Sequence, residues 1–513
     1  VRDETCVGAA KTTFDAVVVG SGACGGWAAK QLTEAGLRVL VLEAGRGPRE
    51  DKVLRVLHRL RQKLGYRVES DAKRLGRQPI QSTTFAWPFH PHAFVDDVDN
   101  PYTTPESQPF AWIRARQVGG RTSVASHGRQ FYRLSDHDFK AGSRDGHGPD
   151  WPLSLAELAP HYEVVERWMG IRGNADGLDT LPDSHYAAPV PLTAGEQRVK
   201  ARIERRWPER RVIARRTAAA PSTLPAALRT GRLTLRTHAV VSQVLHDPKL
   251  GRASGVIFTD TRTGRTEEVR ARVVVLAAGT IESTRLLLHS RSREFPEGLA
   301  NSSGQLGRNL MDHTYMLGTE ARLALSPGEQ QAEQSWAYIP RFRNLARQES
   351  DFARGYGVQM FTFADQVHLV PFGEMLPRAD NRVTLSSTVK DRWGIPAAHI
   401  ECQHSDNEKR MAEDAVATCL EMLGEAGCTV ERVGRTLSKP GMAIHEVGTA
   451  RMGTDAKTSV LNAHNQSWDV PNLFVMDGAC FPSQGAQNPT LTMMALTVRA
   501  SEHVVRELKA GRL

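Results

Sequence analysis

The chain has 513 residues, 40% hydrophobic and 24% charged, which is near globular averages and excludes a disordered or fibrous protein; at roughly 100 to 200 residues per domain, two interleaved domains fit. The formal charge is +9, but basic segments such as RRWPERRVIARR (residues 205 to 216) are short and broken by apolar residues, unlike nucleic-acid-binding tails. No apolar run reaches the ~18 to 20 residues of a membrane span, and the first residues lack the order of a secretory signal.

Residues 14 to 45 read FDAVVVGSGACGGWAAKQLTEAGLRVLVLEAG. The apolar run over Phe14–Val19, the glycines, the helix-like stretch and the second apolar run at 38 to 42 predict strand, turn, helix, strand. Gly20, Gly22 and Gly25 fill G-x-G-x-x-G: the first permits the turn, the second admits a pyrophosphate and the third lets helix pack on strand. Glu43 ends the second strand, placed to accept hydrogen bonds from an adenosine ribose. With Ala44 and Gly45 it favours flavin adenine dinucleotide over a nicotinamide cofactor. Cys24, inside the turn, reads as a packing residue.

Residues 46 to 110 read as irregular structure covering the cofactor. WIRARQVGGRTSVASHGRQFYRLSDHDF (112 to 139) follows, with Gly119 and Gly120 permissive beside small hydroxyl residues. A helix is predicted after Pro152 with Ser154 as its cap. Residues 232 to 246 alternate as one strand, 253 to 275 form a hairpin around Thr263 and Gly264, and 272 to 290 read as strand, glycine turn and helix returning to the first sheet. Residues 336 to 434, including RVTLSSTVK (382 to 390), predict a separate antiparallel sheet. The other cysteines (Cys6, Cys402, Cys419, Cys428, Cys480) show no C-x-x-C or zinc-like spacing, so reduced thiols and no metal site are expected.

The last eighty residues carry HEVGTARMG (445 to 453) and NLFVMDGACFPSQGAQNPTLTMMALTV from Asn472. A strand ends at Asp477-Gly478, where cofactor-bearing sheets place their ligands, and a helix begins near Pro489. Oxidation of an alcohol requires a base for the hydroxyl proton, a task suited to a neutral imidazole. His445 is the candidate base and Asn488 the candidate for orienting the substrate oxygen. The alternatives are a core-bonded His445 and an Asn488 that only caps the last helix.

The segments AVVVGSGACGGWAAKQL with LEAGR, QVGGRTS, VVVLAAGTIESTRLLL, NSSGQLGRNLMDH, DNRVTLS with KDRWGIP, and the H-x-x-G-T-x-x-M-G plus N-P-T ending together resemble the glucose-methanol-choline (GMC) flavin oxidoreductases. Within them, the chain is most similar to pyranose oxidases, bacterial glycoside 3-oxidases and glucoside 3-dehydrogenases. The resemblance implies an α/β fold with a Rossmann-like FAD-binding domain (14–160, 230–315 and 441–513) interleaved with a substrate domain built on an antiparallel sheet (161–229 and 316–440). It implies FAD held by Gly20, Gly22, Gly25 and Glu43, with Gly119, Gly120, Thr122 and Ser123 along the flavin and the Val240 backbone beside adenine. Asp477, Gly478, Asn488, Pro489 and Thr490 would close the cofactor site from the carboxy-terminal side, with His445 the base and Asn488 its partner.

Two departures narrow this expectation. Fungal pyranose oxidases carry a flavin-linked histidine four positions after the glycine pair, where this chain has Val124; FAD is therefore expected to be non-covalent, and His127 is out of register for attachment. Residues 217 to 233 contain no cysteine, and an iron–sulfur relay needs several. The expected function is FAD-dependent oxidation of a secondary hydroxyl of a sugar or glycoside, at C3 before C2, with oxygen or a diffusible acceptor. Tyr338, Arg341 and Gln359 are candidate substrate contacts. A GMC alcohol or sterol oxidase and a flavin-binding scaffold are the alternatives. Neither a nucleic-acid nor a membrane partner is expected, and the location is expected to be cytoplasmic, with prior removal of a leader left open and the oligomer unassigned.

Overall fold

The computed structural model of the chain describes residues 14–124, 129–219, 221–315, 318–324 and 331–513; Cys6 and His127 lie outside them. Strand β1 (Phe14–Val19) leads through the glycine turn into α1 (Ala23–Glu34) and back into β2 (Val39–Leu42). The last four residues of β1 and all of β2 are buried, as expected of parallel strands covered on both faces. The next region departs from the expected irregular structure, because Gly47 and Pro48 open a sixteen-residue helix, α2 (Pro48–Lys63). Pro at the first helical position and the Glu50 carboxylate, which accepts the Gly47 N–H at 3.0 Å, start it.

Helix α3 (Leu155–Met169) begins where expected, with Ser154 and Glu157 forming a reciprocal cap, and ends at Gly170 in the left-handed region. After α4 (Ala194–Arg206) and the short β3 (Ile213–Ala214), the predicted strand at 232 to 246 divides into β4 (Leu233–Arg236) and β5 (Ala239–Asp247). His238, at φ +59°, breaks it. β5, β6 (Arg252–Asp260) and β7 (Thr266–Leu276) form an antiparallel meander, and the end of β7 lies parallel to β1. Helix α5 (Thr280–His289) then leaves Gly279.

β8 (Thr314–Tyr315), β9 (Thr319–Leu323), β10 (Gln331–Ile339), β11 (Tyr356–Ala364) and β12 (Gln366–Gly373) build the second sheet. β13 (Arg382–Lys390) does not join it as expected; it forms a two-stranded sheet with β14 (Pro396–Glu401) and bridges to Arg308. Helix α6 (Asp406–Glu425), β15 (Cys428–Val433), β16 (Leu473–Val475) and α7 (Thr490–Lys509) complete the chain.

The first sheet runs β4-β2-β1-β7, with β16 also parallel to β7; the second runs β15-β9-β12-β11-β10-β3. One apolar core joins Val17, Val274 and Val475 to Tyr162 of α3 and Val498 of α7. Another packs Val358, Met360 and Leu369 of the second sheet against Val199 of α4 and Met411 and Cys419 of α6. The fold is thus mixed α/β, with a doubly covered parallel sheet beside an antiparallel one. The basic residues at 205 to 216 serve this packing: Arg210 pairs with Glu421 at 3.1 Å over the Trp207 ring, and fully buried Arg216 pairs with Asp183 at 3.1 Å. Cys24, Cys402, Cys419, Cys428 and Cys480 are free thiols, and burial pushes that of Cys24 up to about 12. Among the described residues no helix is long and apolar enough to cross a membrane.

Candidate active site

The glycine turn between β1 and α1 is shaped by contacts that admit no side chain. A Cβ on Gly20, at φ +95°, would lie 2.4 Å from the Ala277 carbonyl oxygen, and one on Gly25 would lie 2.0 Å from that of Gly20. Gly22 differs: a Cβ there meets nothing within 4 Å, and α1 starts at this residue without a side-chain cap. The first N–H groups of α1 are therefore available to an anion.

Gly20, Gly22, Glu43, Gly120, Val240, Asp477 and Gly478 line a cavity of about 260 Å³, which shares Ser21, Gly22, Thr122 and Thr490 with a larger chamber of about 920 Å³. Together they run from Glu43 to His445, an elongated shape that fits a dinucleotide. Both glycines of the second turn have positive φ, +88° at Gly119 and +53° at Gly120. The Thr122 hydroxyl donates to the Gly119 carbonyl and that of Ser123 to Val118. Gly119 and Ser123 line the chamber, whereas Gly25 and the buried Pro489 line neither cavity and act through the turn and the start of α7.

Glu43, expected to meet a ribose, is bonded within the turn. One oxygen accepts the Ser21 N–H at 3.1 Å and its hydroxyl, the other the Gly45 N–H at 2.7 Å. Burial pushes its carboxyl up, and these bonds oppose the shift. Asp477 has the same bracing character, accepting from Gly279 and Ala479 N–H at 3.0 Å each and from the Ser283 hydroxyl. A Cβ on Gly478 would lie 2.6 Å from the Thr280 hydroxyl oxygen. These residues fit FAD: an open uncapped helix end for the pyrophosphate, a carboxylate at the far end and a wide chamber at the other.

His445 stands at the chamber wall with Nε2 at 3.1 Å from Nδ2 of Asn488. Its Nδ1 lies 3.0 Å from Nδ1 of His313, whose Nε2 lies 2.8 Å from the Gly485 carbonyl oxygen. A carbonyl only accepts, so His313 Nε2 carries the proton and its Nδ1 is the acceptor. His445 must then donate from Nδ1, which leaves the Nε2 lone pair directed at Asn488. Gln484 supports the pair, donating within 3.0 Å of both His313 Nδ1 and the His445 carbonyl. Burial, with His313 and Arg121 nearby, holds the His445 imidazole well below its ordinary 6.5, and burial pushes His313 down to about 4. Both rings are neutral near pH 7.

The loop bearing His445 is pinned by Asp312, whose carboxylate accepts N–H groups from Gly441 (2.7 Å), Ala443 (3.2 Å) and His445 (2.9 Å). Ile444 is held at φ +64°, a costly conformation for a β-branched residue that the pinning maintains. Sequence reading missed Asp312 and His313 as site residues. They lie 129 to 133 positions from the backbone groups that Asp312 pins, and only the motif ending in Met-Asp-His marks them.

The opposite wall is a face of the second sheet: Gln334 and Trp336 of β10, Gln359 and Phe361 of β11, and His368, Val370 and Phe372 of β12, alternating as strand pleating requires. Gln359 therefore lines the chamber. Tyr338 and Arg341 do not. Tyr338, opposite Gln359 in register, stacks on Tyr132 with ring centroids 4.4 Å apart and is buried beneath the Ala486 carbonyl. Arg341 is buried with Asp138 and Glu374 at 3.8 and 3.9 Å and donates to the Asn344 carbonyl. Both belong to the scaffold: Tyr338 because β10 passes under the 484–487 loop beyond Trp336, and Arg341 because it is held among buried carboxylates past the end of β10. Val124 is likewise buried, in a cluster with Trp87 and Ile113.

The GMC oxidoreductase profiles match residues 14–315 for the amino-terminal part and 377–497 for the carboxy-terminal part. A 2-methyl-1,2-propanediol dehydrogenase from Mycolicibacterium austroafricanum is 30% identical, covering 96% of this chain and 95% of its own. A C-glycoside 3-oxidase from Microbacterium trichothecenolyticum is 29% identical over 54% of this chain and 55% of its own. The formate oxidase of Aspergillus oryzae RIB40, in a structure concerned with FAD modification, superposes with a TM-score of 0.65 at 15% identity, covering 98% of this chain and all of that one. The chain therefore belongs to the GMC oxidoreductases, FAD-binding enzymes that act on CH–OH groups.

Proposed function

We propose that this enzyme oxidises a secondary hydroxyl of a sugar or glycoside to a ketone, at C3 first and C2 next, with His445 as the base. The observation that carries the chemistry is the His445 Nε2 lone pair, fixed by His313 and facing Asn488 at 3.1 Å across the chamber wall. Asn488 orients the substrate oxygen through its amide N–H, and its amide is not basic near neutral pH, so the hydroxyl proton passes to His445 Nε2. FAD, when bound, supplies the two-electron acceptor for the hydrogen on the same carbon. As the proton arrives, the imidazolium is stabilised by donation from its Nδ1–H to His313.

A polyhydroxylated substrate suits the chamber: Gln334, Gln359 and His368 interleave with Trp336, Phe361 and Phe372, polar groups for hydroxyls beside flat surfaces for a sugar ring. The Trp336 indole N–H and the Gln130 amide NH2 are buried without a partner among the described residues, while the Gln130 amide oxygen accepts from the Tyr132 hydroxyl. FAD is held without a covalent bond, since Val124 offers no attachment atom, and oxygen or a diffusible acceptor takes its electrons. The second reading is a small alcohol or diol, supported by the dehydrogenase relative that covers nearly the whole chain.

Anaerobic mixing of the yellow holoenzyme with glucose, an O-glycoside, a C-glycoside and 2-methyl-1,2-propanediol separates these readings. Bleaching of the flavin bands by the glycosides, with a 3-keto product, is the expected result. Bleaching only by the diol would replace the sugar reading, and a flavin that no alcohol reduces would leave a binding scaffold.

A further inference from the structure

Helix α2 is amphipathic in the reverse sense. Its buried positions are Asp51 and His58: Asp51 pairs with Arg55 and lies 3.5 Å from His92, and His58 bonds the Pro88 carbonyl at 3.0 Å. Four of its five Val and Leu residues face outward instead, Leu54 being half-buried. Val53 (57% exposed), Val56 (48%), Leu57 (49%) and Leu60 (51%), with Leu64 (87%) just past its end, recur at three- and four-residue intervals and so form one stripe.

Cations dominate the exposed charges beside the stripe. Arg49, Lys52, Arg59, Arg61 and Lys63 are exposed, and at 100° per residue Lys52, Arg59 and Lys63 fall along one edge and Arg61 along the other. The two acids of the helix are engaged with the body of the protein, Glu50 with His238 and Arg262 at 2.9 Å each and Asp51 as described. Water on an apolar stripe this wide is unfavourable. The geometry points to an anionic lipid surface as its occupant: the apolar stripe enters the boundary between headgroups and acyl chains, and the cations on both edges meet lipid phosphates and carboxylates. A second copy packed by a two-fold axis would set the same cations against one another. The expectation of no membrane partner rested on the lack of a span, and a helix lying flat leaves no such mark in the sequence.

The test is flotation of the FAD-loaded enzyme with vesicles of phosphatidylcholine alone and of phosphatidylcholine mixed with phosphatidylserine. The expected result is co-flotation with the anionic vesicles only, weakening as salt rises. Arg59→Glu with Lys63→Glu should reduce partitioning by about 30-fold or more, and Leu57→Ser with Leu60→Ser should abolish it. All four positions are exposed, so both variants should keep their flavin spectrum and reduction rate with a soluble substrate. Failure to float with anionic vesicles at low salt would overturn the inference, as would flotation that neither variant changes. Self-association in solution that the Leu57→Ser, Leu60→Ser variant abolishes would assign the stripe to a second copy instead.

Discussion

His313→Leu isolates the contribution of tautomer control to the reaction. In the parent, His313 Nδ1 takes the His445 Nδ1 proton at 3.0 Å while its own Nε2–H is spent on the Gly485 carbonyl at 2.8 Å. Leucine fills similar space but accepts nothing, so the imidazole loses the bond that keeps its Nε2 bare. One neutral hydrogen bond is worth about 0.5 to 1.5 kcal/mol, so the productive tautomer should fall up to about tenfold in population, and looser ring orientation adds to this. Anaerobic stopped-flow mixing with saturating substrate should show flavin reduction slowed by about tenfold or more, with the apparent substrate dissociation constant within about twofold. His313→Gln, whose amide can both accept from His445 and donate to Gly485, should recover part of the rate. Reduction by His313→Leu within twofold of the parent would refute tautomer control, and loss of substrate affinity with an unchanged limiting rate would assign His313 to binding.

Gly22→Val should abolish FAD retention while the chain still folds, because the added side chain enters open space at the uncapped end of α1 instead of striking protein; a yellow purified protein would contradict this. Acid precipitation should release all the flavin into the supernatant, since the chain has Val124 where the pyranose-oxidase linkage would need histidine; colour kept in the pellet would show a covalent link elsewhere. The pH profile of flavin reduction should be level above pH 6.5 and fall only as pH drops well below it. The base must be neutral, and burial holds the His445 imidazole well below its ordinary value; a limb centred at or above pH 6.5 would show a solvated imidazole or another base.

The amino-terminal unit was legible because its determinants are local: β1, the turn, α1 and β2 fall within thirty residues, and Gly20, Gly22 and Gly25 have one mechanical use each. The pairing of His445 with Asn488 was legible from chemistry. What held it was not, because Asp312 and His313 reach the loop through long-range contacts that no spacing encodes. Glu43 was read as a ribose ligand, and the three donors from Ser21 and Gly45 that it accepts show that it also ties the turn. Helix α2 was hidden by its inverted face, since expecting apolar residues to point inward made its Arg-rich sequence look irregular. Tyr338 and Arg341 had suitable chemistry, but the path of β10 beneath the 484–487 loop removes the first from the chamber, and buried carboxylates past the end of β10 hold the second.

The central claim is that His445 accepts the hydroxyl proton, and rapid anaerobic reduction of the flavin in His445→Ala tests it most directly, free of any uncertainty about the final electron acceptor. A positioned base contributes about 10² to 10⁴-fold, and Asn488, left opposite the truncated side chain, offers only a non-basic amide. The expected result is a rate of flavin reduction lowered by at least about 10²-fold, with substrate binding and FAD retained and a smaller loss in Asn488→Ala. Reduction within a few-fold of the parent rate would contradict it and move the base elsewhere in the chamber.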